Sequence, residues 1–110
     1  MPEDELGDSR NMLEQGLASA KNAVYSLSLY VTGATPKSTR AIANVTAICN
    51  AHLKDRYELE IIDIYQQPER ARAETIIATP TLVKHLPHPL RKLVGDMSDE
   101  SRVLAGLGLS

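Results

Sequence analysis

The sequence predicts one α/β domain with the element order β-α-β-α-β-β-α, and three features carry that expectation. Residues 24–32 alternate as a strand, with Tyr25, Leu27, Leu29 and Val31 on one face and Val24, Ser26, Ser28 and Tyr30 on the other. A capped helix with an apolar stripe comes next and then a second apolar strand, the layout of a βαβ unit whose strands run parallel with a right-handed crossover. Further on, Thr79-Pro80 leads into two short apolar runs separated by Pro87-His88-Pro89, the pattern of a hairpin with a proline-rich turn.

The elements follow in order. Residues 1–21 read as a flexible acidic leader: Glu3, Asp4, Glu5, Asp8 and Glu14 outweigh Arg10, and Met12, Leu13 and Leu17 are its helically spaced apolar set. Residues 22–110 form the single domain. After the first strand, Gly33-Ala34-Thr35-Pro36 starts a helix, because Thr35 can accept from free amides and Pro36 suits the first helical position. Ala41, Ile42, Val45, Ile48, Cys49 and Leu53 then recur at the three-and-four spacing of a buried stripe, so the helix runs to about residue 54. Residues 57–65 make the second strand, with Leu59, Ile61, Ile62 and Ile64 inward. Pro68 opens a short helix whose apolar positions extend through Ile76 and Ile77, ending before Thr79-Pro80. Thr79-Pro80 stands where a proline is tolerated ahead of a strand and is a candidate for a cis bond. Ser98 reads as the cap of a last helix with Asp99 and Glu100 in its first turn, Val103, Leu104 and Leu107 on its apolar side, and Gly106 and Gly108 ending it. This order is the thioredoxin-like arrangement, with Thr79-Pro80 where that fold keeps a cis-proline; the likeness carries no function by itself.

Composition narrows the function classes. With 110 residues the chain suffices for one core, and without Trp or Phe that core is aliphatic with tyrosines. A net charge of −2, acidic in the leader and mildly basic after it, does not point to nucleic acid. No signal-like or membrane-spanning run is present, so the expected location is cytoplasmic. Cys49 is the single cysteine, which excludes an intramolecular disulfide and a resolving thiol pair in the loop 33–38.

Several residues could carry chemistry. Thr35 and Ser38, beside Pro80, leave open a thioredoxin-like binder or enzyme for a glutathione-type small molecule. Cys49 fits a buried hydrophobe in the helix stripe. His85 and His88 straddle a proline turn with His52 far away, so no metal and no cofactor is expected. Asp63 reads as a strand-end cap or a salt-bridge partner, with a partly buried functional carboxylate as the alternative; Glu58 and Glu60 share a solvated strand face, and loop 33–38 lacks the glycine spacing of a phosphate loop. Lys37, Arg40, Lys84, Arg91 and Lys92 are either solvated surface or a patch for an acidic partner.

Leu29-Tyr30-Val31-Thr32-Gly33-Ala34-Thr35-Pro36-Lys37-Ser38, Ile62-Asp63-Ile64, Ile77-Ala78-Thr79-Pro80-Thr81-Leu82-Val83-Lys84 and Pro89-Leu90-Arg91-Lys92-Leu93-Val94-Gly95-Asp96-Met97-Ser98-Asp99 closely resemble the KaiB family of circadian-clock proteins, over about residues 25–109. The resemblance implies a non-catalytic regulator that binds a KaiC-like ATPase ring, with KaiA-like or SasA-like proteins as further partners. It implies partner contacts at Lys37, Arg40, Glu58, Glu60, Lys84, Arg91 and Lys92. It also implies two folds: the thioredoxin-like form, and a ground-state alternative, β-α-β-β-α-α-β, in a dimer or tetramer, with Pro80, Pro87, Pro89, Gly106 and Gly108 as hinges. Glu60 and Thr75 stand where cyanobacterial members often carry lysine, and Gly108 replaces the aspartate of a Gly-Leu-Asp ending. These departures imply a divergent regulator serving a KaiC homologue in stress or timing control.

Overall fold

A computed structural model describes residues 24–109. The leader expected over residues 1–21 lies outside the described residues. The elements are β1 (Tyr25–Val31), α1 (Pro36–His52), β2 (Tyr57–Asp63), α2 (Pro68–Ala73), β3 (Thr81–Leu86), β4 (Arg91–Val94) and α3 (Glu100–Leu107). The sheet order is β2-β1-β3-β4, with β2 parallel to β1 and the other neighbours antiparallel. This is the thioredoxin-like order read from the sequence; the β-α-β-β-α-α-β alternative is not the arrangement adopted here.

Strand alternation assigns the two faces of the sheet. On one face Leu27, Leu29 and Leu82 pack with Ala41, Val45, Ile48 and Cys49 of α1 and with Val103 and Leu107 of α3. On the other, Tyr30, Ile62 and Val83 form a smaller cluster with Ala71 of α2 and with Ile64 and Ile76. β1 is central and buried almost throughout, because both faces and both edges are occupied.

The start of α1 forms as its sequence dictates. Thr35 Oγ1 accepts from the Ser38 amide at 3.2 Å, and Pro36 occupies the first turn. Thr35→Ala is therefore expected to destabilise the domain by about 1 kcal/mol, read as a lower urea midpoint at unchanged slope.

Four expectations need correction. Ile61 is exposed, because β2 is an edge strand and its outer row reaches past the covering helices. Helix α2 ends at Ala73: Thr75 takes a left-handed φ of 54° and turns the chain, leaving Ile76 in the small cluster but Ile77 93 % exposed. The α3 cap is Asp99 and not Ser98, with Asp99 Oδ1 accepting from the Arg102 amide at 3.2 Å. Gly106 does not end α3 but lies inside it: a Cβ there would stand 2.6 Å from Leu93 Cδ1, so glycine allows the helix its close approach to β4. Gly108 does end the helix, in the left-handed conformation at φ 78°. The Thr79-Pro80 bond is cis, as are Leu86-Pro87 and His88-Pro89.

Candidate functional site

The loop after β1 is held from both sides. The Thr32 amide donates to Ser38 Oγ at 3.1 Å, Thr35 Oγ1 donates to the same oxygen at 2.9 Å, and the Thr32 and Thr79 hydroxyls bond each other. Ser38 is buried and its hydroxyl is engaged by these donors, and Pro80 beside it is also buried. Ser38 is thus not an available nucleophile, whereas Thr35 is exposed and its hydroxyl caps α1. The Cys49 thiol is buried in the main core, where desolvation pushes its pKa up to about 11 and keeps it protonated.

The face covered by α2 carries a polar network that joins elements distant in sequence. Arg70 of α2 grips both carboxylate oxygens of Glu60 on β2, with Nη2 donating to Oε1 at 2.8 Å and Nη1 to Oε2. That forked bond holds the Glu60 carboxyl below its ordinary range. Just past α2, Glu74 faces His85 Nδ1 at 3.8 Å, while His85 Nε2 shares a 3.0 Å hydrogen bond with Ser28 Oγ. Lys92 of β4 donates to the Glu74 carbonyl. Burial, then the Glu74 carboxylate, raises the pKa of Tyr30 beneath this network. Ser28, His85 and Glu74 fall in the order of a hydrolytic triad, but Ser28 is 4 % exposed within the central strand, out of a substrate's reach. The network ties α2 to the sheet. Among the described residues no three histidine, cysteine or acidic side chains are grouped to hold a metal.

The cationic residues do not converge. Lys37 is exposed on the first turn of α1, past the end of β1. Arg40 Nε donates to Asp96 Oδ2 at 3.2 Å, and the Asp96 backbone carbonyl accepts from Asn44 Nδ2 at 2.9 Å, pinning the β4–α3 connection against α1. Below this contact Asn44, Ala47, Ile48, Met97, Ser98 and Glu100 line a cleft of about 310 Å³, and Glu100 also meets His52 Nε2 at 3.0 Å. Arg91 and Lys92 lie on β4 at the other end, Arg91 paired in register with Lys84 and Lys84 with Leu27 near the start of β1. From Leu27 to Val31 the sheet rises roughly 13 Å, which separates the two cationic groups.

Lys84 is corrected as a contact residue. It shares the helix-covered face with Leu82, is 4 % exposed, and its ammonium pKa is lowered by desolvation first and by Arg91 second. Glu58 and Glu60 are exposed on β2. Arg70, Glu74 and His85 escaped the sequence reading as a network, because separations of 10 residues for Glu60–Arg70 and 57 for Ser28–His85 leave no local pattern.

Asp96 supports an acid-range test. Hydrogen bonds from Ser98, and then from Arg40, hold its carboxyl below the ordinary 3.8. A depressed folded-state pKa contributes stability above the unfolded value, and that contribution is lost as pH falls through the folded value. Asp96→Asn is expected to lower the melting temperature at neutral pH, with the gap to the parent closing below pH 3.8; a gap constant across that range contradicts the assignment.

A model of the KaiB domain matches residues 28–109. The chain belongs to the KaiB family. It is 51 % identical over 83 residues to the circadian clock protein KaiB3 of Synechocystis, covering 76 % of this chain and 81 % of that protein. It is 45 % identical over 91 residues to the circadian clock oscillator protein KaiB of Acaryochloris marina, covering 83 % and 88 %. In structure it is similar to the N-terminal domain of Synechococcus elongatus SasA, with a TM-score of 0.65, and to a yeast thioredoxin, with a TM-score of 0.64. The SasA domain is 25 % identical, covering 80 % of this chain and 87 % of that one. Mitochondrial thioredoxin 3 of Saccharomyces cerevisiae, at 16 % identity and covering 94 % and 88 %, shows the fold alone. KaiB clock proteins are non-catalytic, and the chain keeps the thioredoxin-like frame without its thiol pair. No helix among the described residues is long and apolar enough to cross a membrane.

Proposed function

We propose that the domain 22–110 is a non-catalytic regulator that docks in the cytoplasm on a KaiC-like ATPase ring, in circadian or stress and timing control. The observation that carries this reading is membership of the KaiB family across residues 28–109. Its contact residues are Lys37 and Arg40 at the start of α1, Arg91 and Lys92 on β4, and Glu58 and Glu60 on the β2 edge, all exposed. An exposed edge strand also offers free main-chain groups to a partner strand. KaiA-like and SasA-like proteins are further partners on this reading, the latter supported by the likeness to the SasA domain. A second arrangement in a dimer or tetramer, hinged at Pro80, Pro87, Pro89, Gly106 and Gly108, belongs to the same proposal. Pro80, Pro87 and Pro89 flank β3 and its turn into β4, Gly106 lies inside α3 and Gly108 ends it, all in the half of the chain after β2 where the two arrangements differ.

The thioredoxin-like small-molecule reading, at Thr35, Ser38 and Pro80, is disfavoured by the burial of Ser38, whose hydroxyl oxygen accepts from the Thr32 amide and from Thr35 Oγ1. Pull-down with the KaiC homologue of the same organism, beside retention on immobilised glutathione, separates the two. Ring binding without glutathione retention is the expected result, and glutathione retention without ring binding overturns the proposal.

A further inference from the structure

On the face that α2 covers, one row of residues crosses all four strands. In register, Glu60 of β2 stands beside Ser28 of β1, Ser28 beside Val83 of β3, and Val83 beside Lys92 of β4. Residues 70–74 span that row from edge to edge. At one edge Arg70 grips the Glu60 carboxylate, at the other the Glu74 carbonyl takes the Lys92 ammonium, and between them the Glu74 carboxylate faces His85 Nδ1 at 3.8 Å. Three strand spacings amount to about 14 Å, whereas four residues of helix advance only about 6 Å, so the long Arg70 and Lys92 side chains complete the crossing. Apolar contact adds little to this hold: α2 has no buried residue, and the segment 68–77 packs only Ala71 and Ile76 on the small cluster of Tyr30, Ile62 and Val83. A segment with so few buried apolar contacts opens locally ahead of the rest of the domain.

We propose that residues 68–77 form a proton-locked strap, closed while His85 is protonated and loosened when His85 loses its proton, and that loosening frees Glu60 and Lys92 for a partner. His85 sits at the middle of the crossing with both ring nitrogens in use, Nε2 on Ser28 Oγ at 3.0 Å and Nδ1 towards Glu74. A neutral imidazole has one N–H to donate and an imidazolium two, so only the charged ring donates to Ser28 and Glu74 together and meets the carboxylate as an ion pair. The other titratable and charged groups facing it are Glu58 and Glu60 of β2, Arg70 of α2, Lys92 of β4 and Tyr30 of β1. Arg70 is offset by Glu60 in the fork and Lys92 is drawn to a main-chain carbonyl, which leaves the Glu74 carboxylate to His85. Histidine changes charge between about pH 5 and 8, and carboxylates keep theirs across that range. The lock is thus set on the acid side and released as pH rises. A partner that takes up Glu60 and Lys92 must displace Arg70 and Glu74, so it binds the loosened form; this consequence rests on the proposed function, whereas the strap does not.

The test follows amide exchange with water in the full chain by NMR at about pH 5.5 and 7.5, within the range where histidine titrates, each rate being compared with the intrinsic rate at that pH. The Glu74 and Ile76 amides report on the strap, since they donate to the Arg70 and Ala71 carbonyls, and the Val103 amide of α3 is the reference. Protection at Glu74 and Ile76 is expected to be about two- to fivefold higher at the lower pH, the size of a partly solvated ion pair, with Val103 unchanged. His85→Gln and Glu74→Gln are each expected to abolish the difference between the two pH values, whatever they do to its level, and His52→Gln, which acts on the contact between α1 and α3, to keep it. No difference in the parent chain overturns the lock, as does one that survives both strap substitutions. A difference lost with His85→Gln but kept with Glu74→Gln overturns the pairing with Glu74. At the lower pH, His85→Gln is also expected to tighten ring binding by about the factor by which it raises the loosened population, and unchanged affinity overturns the release of Glu60 and Lys92. A chain that binds no ring fails the functional proposal instead, and the exchange rates alone then decide the strap.

Discussion

Arg91→Glu is expected to weaken binding to a KaiC-like ring by about tenfold or more while leaving the fold intact. Arg91 is exposed at the start of β4 and accounts for much of the reachable positive charge at the hairpin end. Lys84 beside it is buried, and Lys92 points to the opposite face, where its ammonium is bound to the Glu74 carbonyl. Reversal replaces an attraction with a like-charge contact at an acidic surface, and tenfold corresponds to about 1.4 kcal/mol. Titration calorimetry or surface binding at low and at physiological salt checks it. The deficit is expected to shrink as salt rises, because the contact is partly solvated. Lys37→Glu is the informative partner variant, since Lys37 lies at the other end of the sheet. If both reversals weaken binding, the ring spans the domain lengthwise; if Arg91→Glu has no effect, the hairpin end is not a contact.

The residues that made the fold legible are those whose structural reasons are local. Thr35 and Pro36 specify a helix start whatever surrounds them, the alternation of 25–31 specifies a strand, and the 41-45-48 stripe specifies a buried helix face. Ile61, whose strand pattern points inward, and Ile77, whose spacing suits an apolar position of the short helix, are both exposed, because hydrophobicity reports what a side chain favours and not whether a covering layer reaches it. One stands on an edge strand and the other follows the left-handed turn at Thr75. Gly106 likewise reads as a helix ending until Leu93 of β4 is packed against it. At the candidate site, charge was legible and grouping was not. The cationic residues of the sequence divide between two ends of the sheet with one buried, and the Glu60–Arg70 and Ser28–His85–Glu74 contacts depend on a strand order that local spacing does not encode.

Leu29→Ala is expected to cost about 2–5 kcal/mol. Leu29 is fully buried at the centre of β1, paired with Ile61 on one side and Leu82 on the other, in the face that meets α1 and α3. With no Trp or Phe in the chain to close over the gap, neighbouring aliphatic side chains relax only in part, so a cavity term adds to the lost transfer free energy. Small domains have a total stability of about 5–15 kcal/mol, so this one truncation removes a large share of it. The melting temperature is expected to fall by at least about 10 °C, and the urea midpoint to drop at unchanged slope, the sign that the two end states are as compact as before. Ile77→Ala removes as many side-chain carbons from a 93 % exposed position, so its effect is expected within about 0.5 kcal/mol. Comparable losses in the two variants would mean that Ile77 is covered in solution, and hence that the segment after α2 packs differently from the arrangement described.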